Sequence, residues 1–244
     1  GVVEQLKELS RAKFEENRIS FHEIKVYATP RRLAVLVKDA ADRQPDEEVK
    51  KRGPSIKAAF DADGNPTRAA QGFARGQHID PSQLVKEGDY TWAHVVNQGK
   101  AVEDVLPDLF LSLITGLNFT RSMRWADEEA HFIRPVRWIV ALADDKVIPV
   151  EFAHVKSGRV SRGHRFLCKE PVTIEKPEDY KETMRKAFVI VDQDERRDMI
   201  KKGLLETAEK LGGHVWHNAD LLEEINYLVE YPTPLYGRID DEFL

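Results

Sequence analysis

Arginines interleaved with aromatic rings are the residues of this sequence best suited to chemistry. From position 121 to 138 the chain reads RSMRWADEEAHFIRPVRW, setting Arg121, Arg124, Arg134 and Arg137 among Trp125, Phe132 and Trp138. A second group, Arg159, Arg162, His164 and Arg165, lies in SGRVSRGHRF. A guanidinium is a planar fork of donors that matches a phosphate, and an aromatic face accepts a stacked base. The glycines at 158 and 163 allow close backbone approach, which also suits a phosphate-bearing partner. Both groups therefore point to nucleic acid. The same residues also serve ordinary packing, in which an arginine lies over a buried ring and pairs with a nearby acid. Asp127, Glu128 and Glu129 stand ready to supply that acid, and composition alone favours this plainer reading.

Other chemistries find less support. There is no GxxxxGK[ST], GxGxxG or HExxH, so no nucleotide cradle or zinc-protease helix is expected. Cys168 could meet His164 or His154, but no third orienting group appears, and a free cysteine is usually packing. His131, His154 and His164 lack zinc-motif spacing. The acidic clumps read as solvated helix faces. Neither a catalytic residue nor a metal ligand is expected on this chain.

With 244 residues, 41% apolar and 32% charged, the chain has enough core for one large domain or two small ones. No run reaches the length of a membrane span, and nothing resembles a signal peptide. A single cysteine leaves no internal disulfide and suits a reducing cytoplasm. The formal net charge of −5 confines any nucleic-acid surface to a local patch. Bases lead from 118 to 168 and acids lead afterwards. The expected organisation is an α+β domain over 1–168 and a helical, acidic segment over 169–244, packed on the first and closing with a short strand. Both ends look cut, as in a fragment.

The elements that must position the arginines are set by periodicity. Helices are expected over 3–17, 66–75, 101–116, 177–188, 192–211 and 218–230, with Asn65 and Asn218 as caps. A short helical piece is expected from Pro54 to Phe60. Strands are expected over 21–28, 33–37, 90–97, 133–143, 147–155 and 235–239. Thr29-Pro30 reads as an edge or crossover, with Arg31 and Arg32 at a solvated strand mouth. Residues 42–53 read as a charged connection. Asp144-Asp145 should turn strand 133–143 into 147–155, bringing the two arginine groups to one edge. Strand alternation would put Arg137 opposite Val136 and Trp138. Arg159, Arg162 and Arg165 should be the more exposed set.

Several stretches resemble the glycyl-tRNA synthetase beta subunit family of bacterial type. They are TPRRLAVLV (29–37), KRGPSIKAAFD (51–61), GFARGQ (72–77), MRW with FIRPVRWIVAL (123–142), VIP (147–149), SGRVSRGHRF (157–166) and LVEYPTPLYGRIDDEFL (228–244). They occur in the family's order along nearly the whole chain. An EIGTEELP-like opening strand is missing before Gly1, and Ala126 stands where the family commonly has Gly. The resemblance is to the N-terminal third or so of the subunit, ahead of its HD-type and anticodon-binding domains. It implies part of a cytoplasmic, ATP-dependent glycine–tRNA ligase of α2β2 composition. The alpha subunit would hold ATP and Mg2+ and form the adenylate, leaving tRNA contacts and assembly to this chain. A fold similar to the sheet-and-helix modules of the phenylalanyl-tRNA synthetase beta subunit is implied as well.

Two other function classes compete with tRNA binding and scaffolding. An editing hydrolase for misacylated tRNA would deacylate it faster than buffer does. A purely structural module contacting the alpha subunit would show no RNA binding that falls with salt.

Overall fold

Pro30 and Arg31 form a two-residue turn rather than a crossover. The computed structural model describes residues 1–125, 129–240 and 242. Its chain opens with helix α1 (Val2–Glu16), which buries Leu6, Ser10 and Phe14 along one stripe. Strands β1 (Glu23–Thr29) and β2 (Arg32–Lys38) then pair antiparallel from Glu23↔Lys38 to Thr29↔Arg32. Proline fits this turn because its fixed φ is pre-set for it and its missing N–H is not needed there.

Residues Asp42–Val102 form a compact unit of their own, between two stretches of chain that together make the other unit. It begins with β3 (Glu47–Ser55), where the sequence suggested only a charged connection. The strand was hidden because Val49 is almost the only apolar residue in EEVKKR. Short helix α2 (Ile56–Ala59) and helix α3 (Arg68–Gly76) follow. Helix α3 is capped by Thr67 and not by Asn65, whose backbone is held by the Asp61 carboxylate in the preceding turn. Strands β4 (Val85–Glu87) and β5 (Tyr90–Asn97) complete an antiparallel sheet with order β3-β5-β4. One side is covered by a core of Ala59, Ala70, Ala74, Leu84 and Ala93, joined by Phe60 and Phe73. Tyr90, Val96 and His94 are exposed, as strand alternation requires, and Arg52 stacks 3.9 Å over the Tyr90 ring.

Helix α4 (Val102–Thr115) returns the chain to the first unit and carries Pro107 inside it. Beyond it the chain forms a set of short strands rather than one long hairpin. They are β6 (Ile139–Val140), β7 (Leu142–Ala143), β8 (Lys146–Val147), β9 (Glu151–Phe152), β10 (Val155–Gly158), β11 (Val160–Arg162) and β12 (Pro171–Thr173). The expected turn at Asp144-Asp145 is present, joining β7 to β8 antiparallel. The expected strand does not extend back to 133, because Pro135 removes a donor and restricts Arg134 before it. Its partner stops at β8 because Pro149 cannot continue a ladder, and a second turn at Ala153-His154 joins β9 to β10. Strand β10 also pairs parallel with β6.

Helices α5 (Tyr180–Lys186), α6 (Gln193–Lys210) and α7 (Ala219–Asn226) close the chain. Asp192 and Asn218 cap the last two through their side chains. The expected strand at 235–239 is absent; that segment carries no ladder and is exposed, Leu235 at 87%. The architecture is α+β. Among the described residues no helix is long and apolar enough to cross a membrane.

The sequence pattern divides the chain at 168/169, whereas its two compact units part at 41/42 and 102/103. The reason is the core of the first unit. Tyr27 from β1 packs with Val172, Ile174, Met184, Ala187, Val189 and Val191 from beyond residue 168. The hairpin and the later helices therefore share one apolar interior.

Tyr180 packs at the edge of that core, and burial pushes its hydroxyl from 10.0 up to about 12, with Arg32 pulling it down. Burial likewise raises Tyr27. A folded state that holds a proton more tightly than the unfolded chain is stabilised fully below the unfolded value. That stability is lost as pH rises from about 10 towards 12. A rise from 10.0 to about 12 corresponds to up to ~3 kcal/mol. Thermal melting across this range should show a steep alkaline decline, and Tyr180→Phe should flatten part of it.

Candidate nucleic-acid interface

The arginines of the sequence motifs are split by the fold. Arg121, Arg124, Arg134 and Arg137 are all exposed. Trp125 is half-buried and meets the Phe152 ring edge-on at 6.3 Å. Phe132 stacks edge-on with Phe119 at 4.9 Å and with Phe152 at 6.2 Å. Met123 and Phe132 exchange backbone hydrogen bonds of 2.8 and 3.3 Å. The aromatics of this stretch thus pack together. A burial of Arg134 or Arg137 does not occur. The acids Asp127 and Glu128, proposed as their partners, lie outside the described residues.

Arg159 departs from expectation. It is half-buried, with Nη2 donating to the Asp145 carbonyl at 2.7 Å and Nη1 to Glu175 Oε2 at 3.1 Å. Gly158 belongs to strand β10 and Gly163 is buried, so the two glycines do not mark an open loop around it. Arg162 and Arg165 are exposed as expected. They are not more exposed as a set than the earlier four.

What the fold does bring together is Trp138 and arginines from two distant segments. The guanidinium carbons of Arg31, Arg32 and Arg162 lie 5.9, 5.7 and 5.7 Å from the Trp138 ring centre. Each falls within the reach of a cation–π contact. Beneath them is Glu230, only 5% exposed. Arg32 is buried and grips both of its oxygens, Nε to Oε1 at 2.9 Å and Nη2 to Oε2 at 3.1 Å. Thr29 Oγ1 donates to Oε1 at 2.6 Å. Arg31 stands further off, 3.8 Å from Oε2.

Arg31 and Arg32 are therefore not a solvated strand mouth. The tight turn sends them to the 162–163 strand end. There Arg32 Nη1 donates to the Arg162 carbonyl at 2.7 Å and Arg31 Nη1 to the Gly163 carbonyl at 3.4 Å. Burial holds the Arg31 guanidinium below its ordinary value. Glu230 opposes this, and repulsion from Arg32, Arg165 and Arg162 adds to it. Arg31 thus feels three other guanidinium groups and one carboxylate, and Arg32 already occupies that carboxylate on both oxygens. The remaining positive charge, on Arg31, Arg162 and Arg165, suits an anion from outside the chain.

The segments that meet here are TPRR, RPVRW, SRGHRF and LVEYP, spread from residue 29 to 232. His164 is half-buried, and its Nδ1 accepts from the backbone N–H of Phe166 and Leu167 at 3.3 and 3.2 Å. This leaves Nδ1 already engaged, away from any pairing with the Cys168 thiol. Among the described residues no three of His, Cys, Asp and Glu gather where a metal ion could be held. Sequence reasoning missed Trp138, Arg31 and Glu230 as one site. The signal was the coincidence of the four motifs, which periodicity cannot connect.

Glu230→Ala would leave the Arg32 guanidinium buried with two of its three hydrogen bonds gone. Breaking a buried pair this way typically costs about 3–5 kcal/mol. Urea unfolding should show a loss of that order, and Thr29→Val a smaller one of about 1–2 kcal/mol.

Comparison with known proteins agrees with the convergence of these motifs. Residues 1–244 match the family model described as glycyl-tRNA synthetase beta subunit. The glycine–tRNA ligase beta subunit of Desulfitobacterium hafniense (strain Y51) is 45% identical over 248 residues, covering 100% of this chain and 36% of that protein. The beta subunits of Natranaerobius thermophilus and Clostridioides difficile (strain 630) are 44% and 40% identical, with the same coverage. The chain spans 36% of the length of these curated relatives. With a match over every residue and identity at this level, the chain belongs to the glycyl-tRNA synthetase beta subunit family.

Proposed function

We propose that this chain is the tRNA-contacting and scaffolding N-terminal region of the beta subunit of a glycine–tRNA ligase. The observation that carries the reading is the gathering of Arg31, Arg32 and Arg162 around Trp138, with one buried carboxylate among them. A phosphate backbone supplies the missing negative charge, and Arg121, Arg124, Arg134 and Arg137 extend the exposed basic surface. Arg159, spent on Glu175 and Asp145, takes a positioning role beside it. Support for scaffolding comes from exposed apolar side chains near residue 240. Leu228, Leu235, Tyr236 and Ile239 are 66 to 87% exposed, which suits burial against more protein.

In this reading the alpha subunit binds ATP and Mg2+ and forms the glycyl-adenylate. The beta subunit holds tRNA for glycine within an α2β2 assembly in the cytoplasm. The chain's own part is to bind and orient RNA. It carries no Gly-rich phosphate loop to activate an amino acid.

The test is a charge-removal series in the assembled enzyme. Arg31→Ala, Arg162→Ala and Arg165→Ala should each weaken tRNA binding and shallow its salt dependence by roughly 0.7–1 in slope. Arg159→Ala should leave the slope unchanged while lowering the melting temperature. If Arg31→Ala, Arg162→Ala and Arg165→Ala all leave affinity and slope alone, the cluster has a structural role only. A second measurement addresses activation: the purified chain without an alpha subunit should support no glycine-dependent ATP–pyrophosphate exchange.

A further inference from the structure

The loop leaving the arginine cluster carries a side chain that packing does not explain. Phe166 is 75% exposed and Leu167 beside it 53%. Yet the loop that presents them is firmly built. At its base, Arg32 and Arg31 donate to the carbonyls of Arg162 and Gly163. His164 N donates to the Ala187 carbonyl at 2.9 Å, and Cys168 N to the His164 carbonyl at 3.0 Å. Gly163 makes that closure possible, since a Cβ there would stand 2.7 Å from the Cys168 side chain and 3.0 Å from the Ala187 carbonyl. Within the loop, His164 Nδ1 accepts from the N–H groups of both exposed residues. A turn fixed by its own side chain, holding a phenyl ring in water, is a presentation device.

The surroundings favour one kind of occupant. Arg165 lies with its guanidinium 5.6 Å from the Phe166 ring centre and close enough to Arg31 to repel it. The exposed ring thus adjoins the site of excess positive charge. A polyanion whose repeating unit also has a flat aromatic face matches both features. A phosphate alone would leave the ring unused, and an apolar protein surface would leave the guanidinium groups unpaired.

We propose that residues 163–168 form an aromatic finger that stacks Phe166 on an unpaired or terminal base of the RNA held by the Trp138 arginines. His164 is its positioning residue. The inference rests on the RNA-binding reading above and adds a base contact to it. Stacking is tolerant of sequence because every base has a π face, so the finger would recognise an unstacked nucleotide rather than a particular letter.

The experiment uses the full-length subunit assembled with its alpha partner, and a transcript of tRNA for glycine as the probe. Phe166→Ala should weaken binding by about 5- to 100-fold with the salt slope unchanged, since a stacked base carries no charge. Phe166→Trp should retain affinity. His164→Ala should weaken binding in the same direction, and His164→Asn, which keeps a short side-chain acceptor, should recover part of it. Melting temperatures of the Phe166 variants should match the parent, because the ring is exposed. If Arg162→Ala and Arg165→Ala lower affinity and slope while Phe166→Ala binds like the parent, the finger is overturned and the RNA reading stands. If arginine and phenylalanine variants alike leave tRNA binding unchanged, both fall. If Phe166→Ala weakens only assembly with the alpha subunit, the ring is a protein contact and the finger is overturned.

Discussion

The buried carboxylate of Glu230 is the point on which the first unit depends. A carboxylate taken out of water is costly unless its lone pairs are filled, and here both oxygens are. Arg32 supplies a two-pronged contact and Thr29 a short hydroxyl bond. These donors come from the two residues flanking the Pro30-Arg31 turn, paired as Thr29↔Arg32. The carboxylate thereby fixes the end of the hairpin at which the site is built. The backbone joins in, because the Glu230 carbonyl accepts from Ile190 N at 2.8 Å. One residue thus ties the hairpin to the core segment that ends at Val191.

The same hairpin imposes a second demand. Two strands alone leave the outer edge of β1 unpaired, and buried backbone groups must find partners. Helix α6 meets that need with side chains. Gln193 donates from Nε2 to the Val26 carbonyl at 3.1 Å and accepts from Ala28 N at 3.2 Å, as a further strand would. Arg196, fully buried, donates to the carbonyls of Ala28, Ile190 and Asn226 at 2.9, 2.7 and 2.8 Å. Burial lowers its basicity, but these carbonyl dipoles, with that of Val191 at 3.4 Å, hold the cation. Only arginine has enough donors in one plane to serve three chain segments at once.

These facts mark what could be read from the sequence. Helix α1 follows its apolar periodicity and helix α6 its acidic first turn and glycine stop, which are local properties, and they fall within a residue or two of expectation. The turn at Asp144-Asp145 is equally local. Strand β3 failed because its partner, and not its own pattern, makes it a strand: Glu48, Lys50 and Arg52 lie opposite Val96, His94 and Trp92. The segment at 133–138 failed for the converse reason, since its apolar alternation promised a strand that Pro135 forbids. The arginines were legible as a class but not as a site. Arg32 and Glu230 lie 198 positions apart, and nothing near either residue announces the pairing. The family motifs hinted at it only by occurring together.

The acidity of the chain sharpens the role of the cluster. With a formal charge of −5, the chain as a whole repels a polyanion. At physiological salt that repulsion fades over about 8 Å, so attraction must come from guanidinium groups standing at the surface itself. Burying Arg32 against Glu230 uses one charge to set the geometry and leaves Arg31, Arg162 and Arg165 to face outwards. Arg31 is repelled by Arg32, Arg165 and Arg162, and Glu230 opposes that repulsion. A cluster held together by a buried carboxylate is thereby suited, in the reading proposed above, to a ligand that carries phosphate.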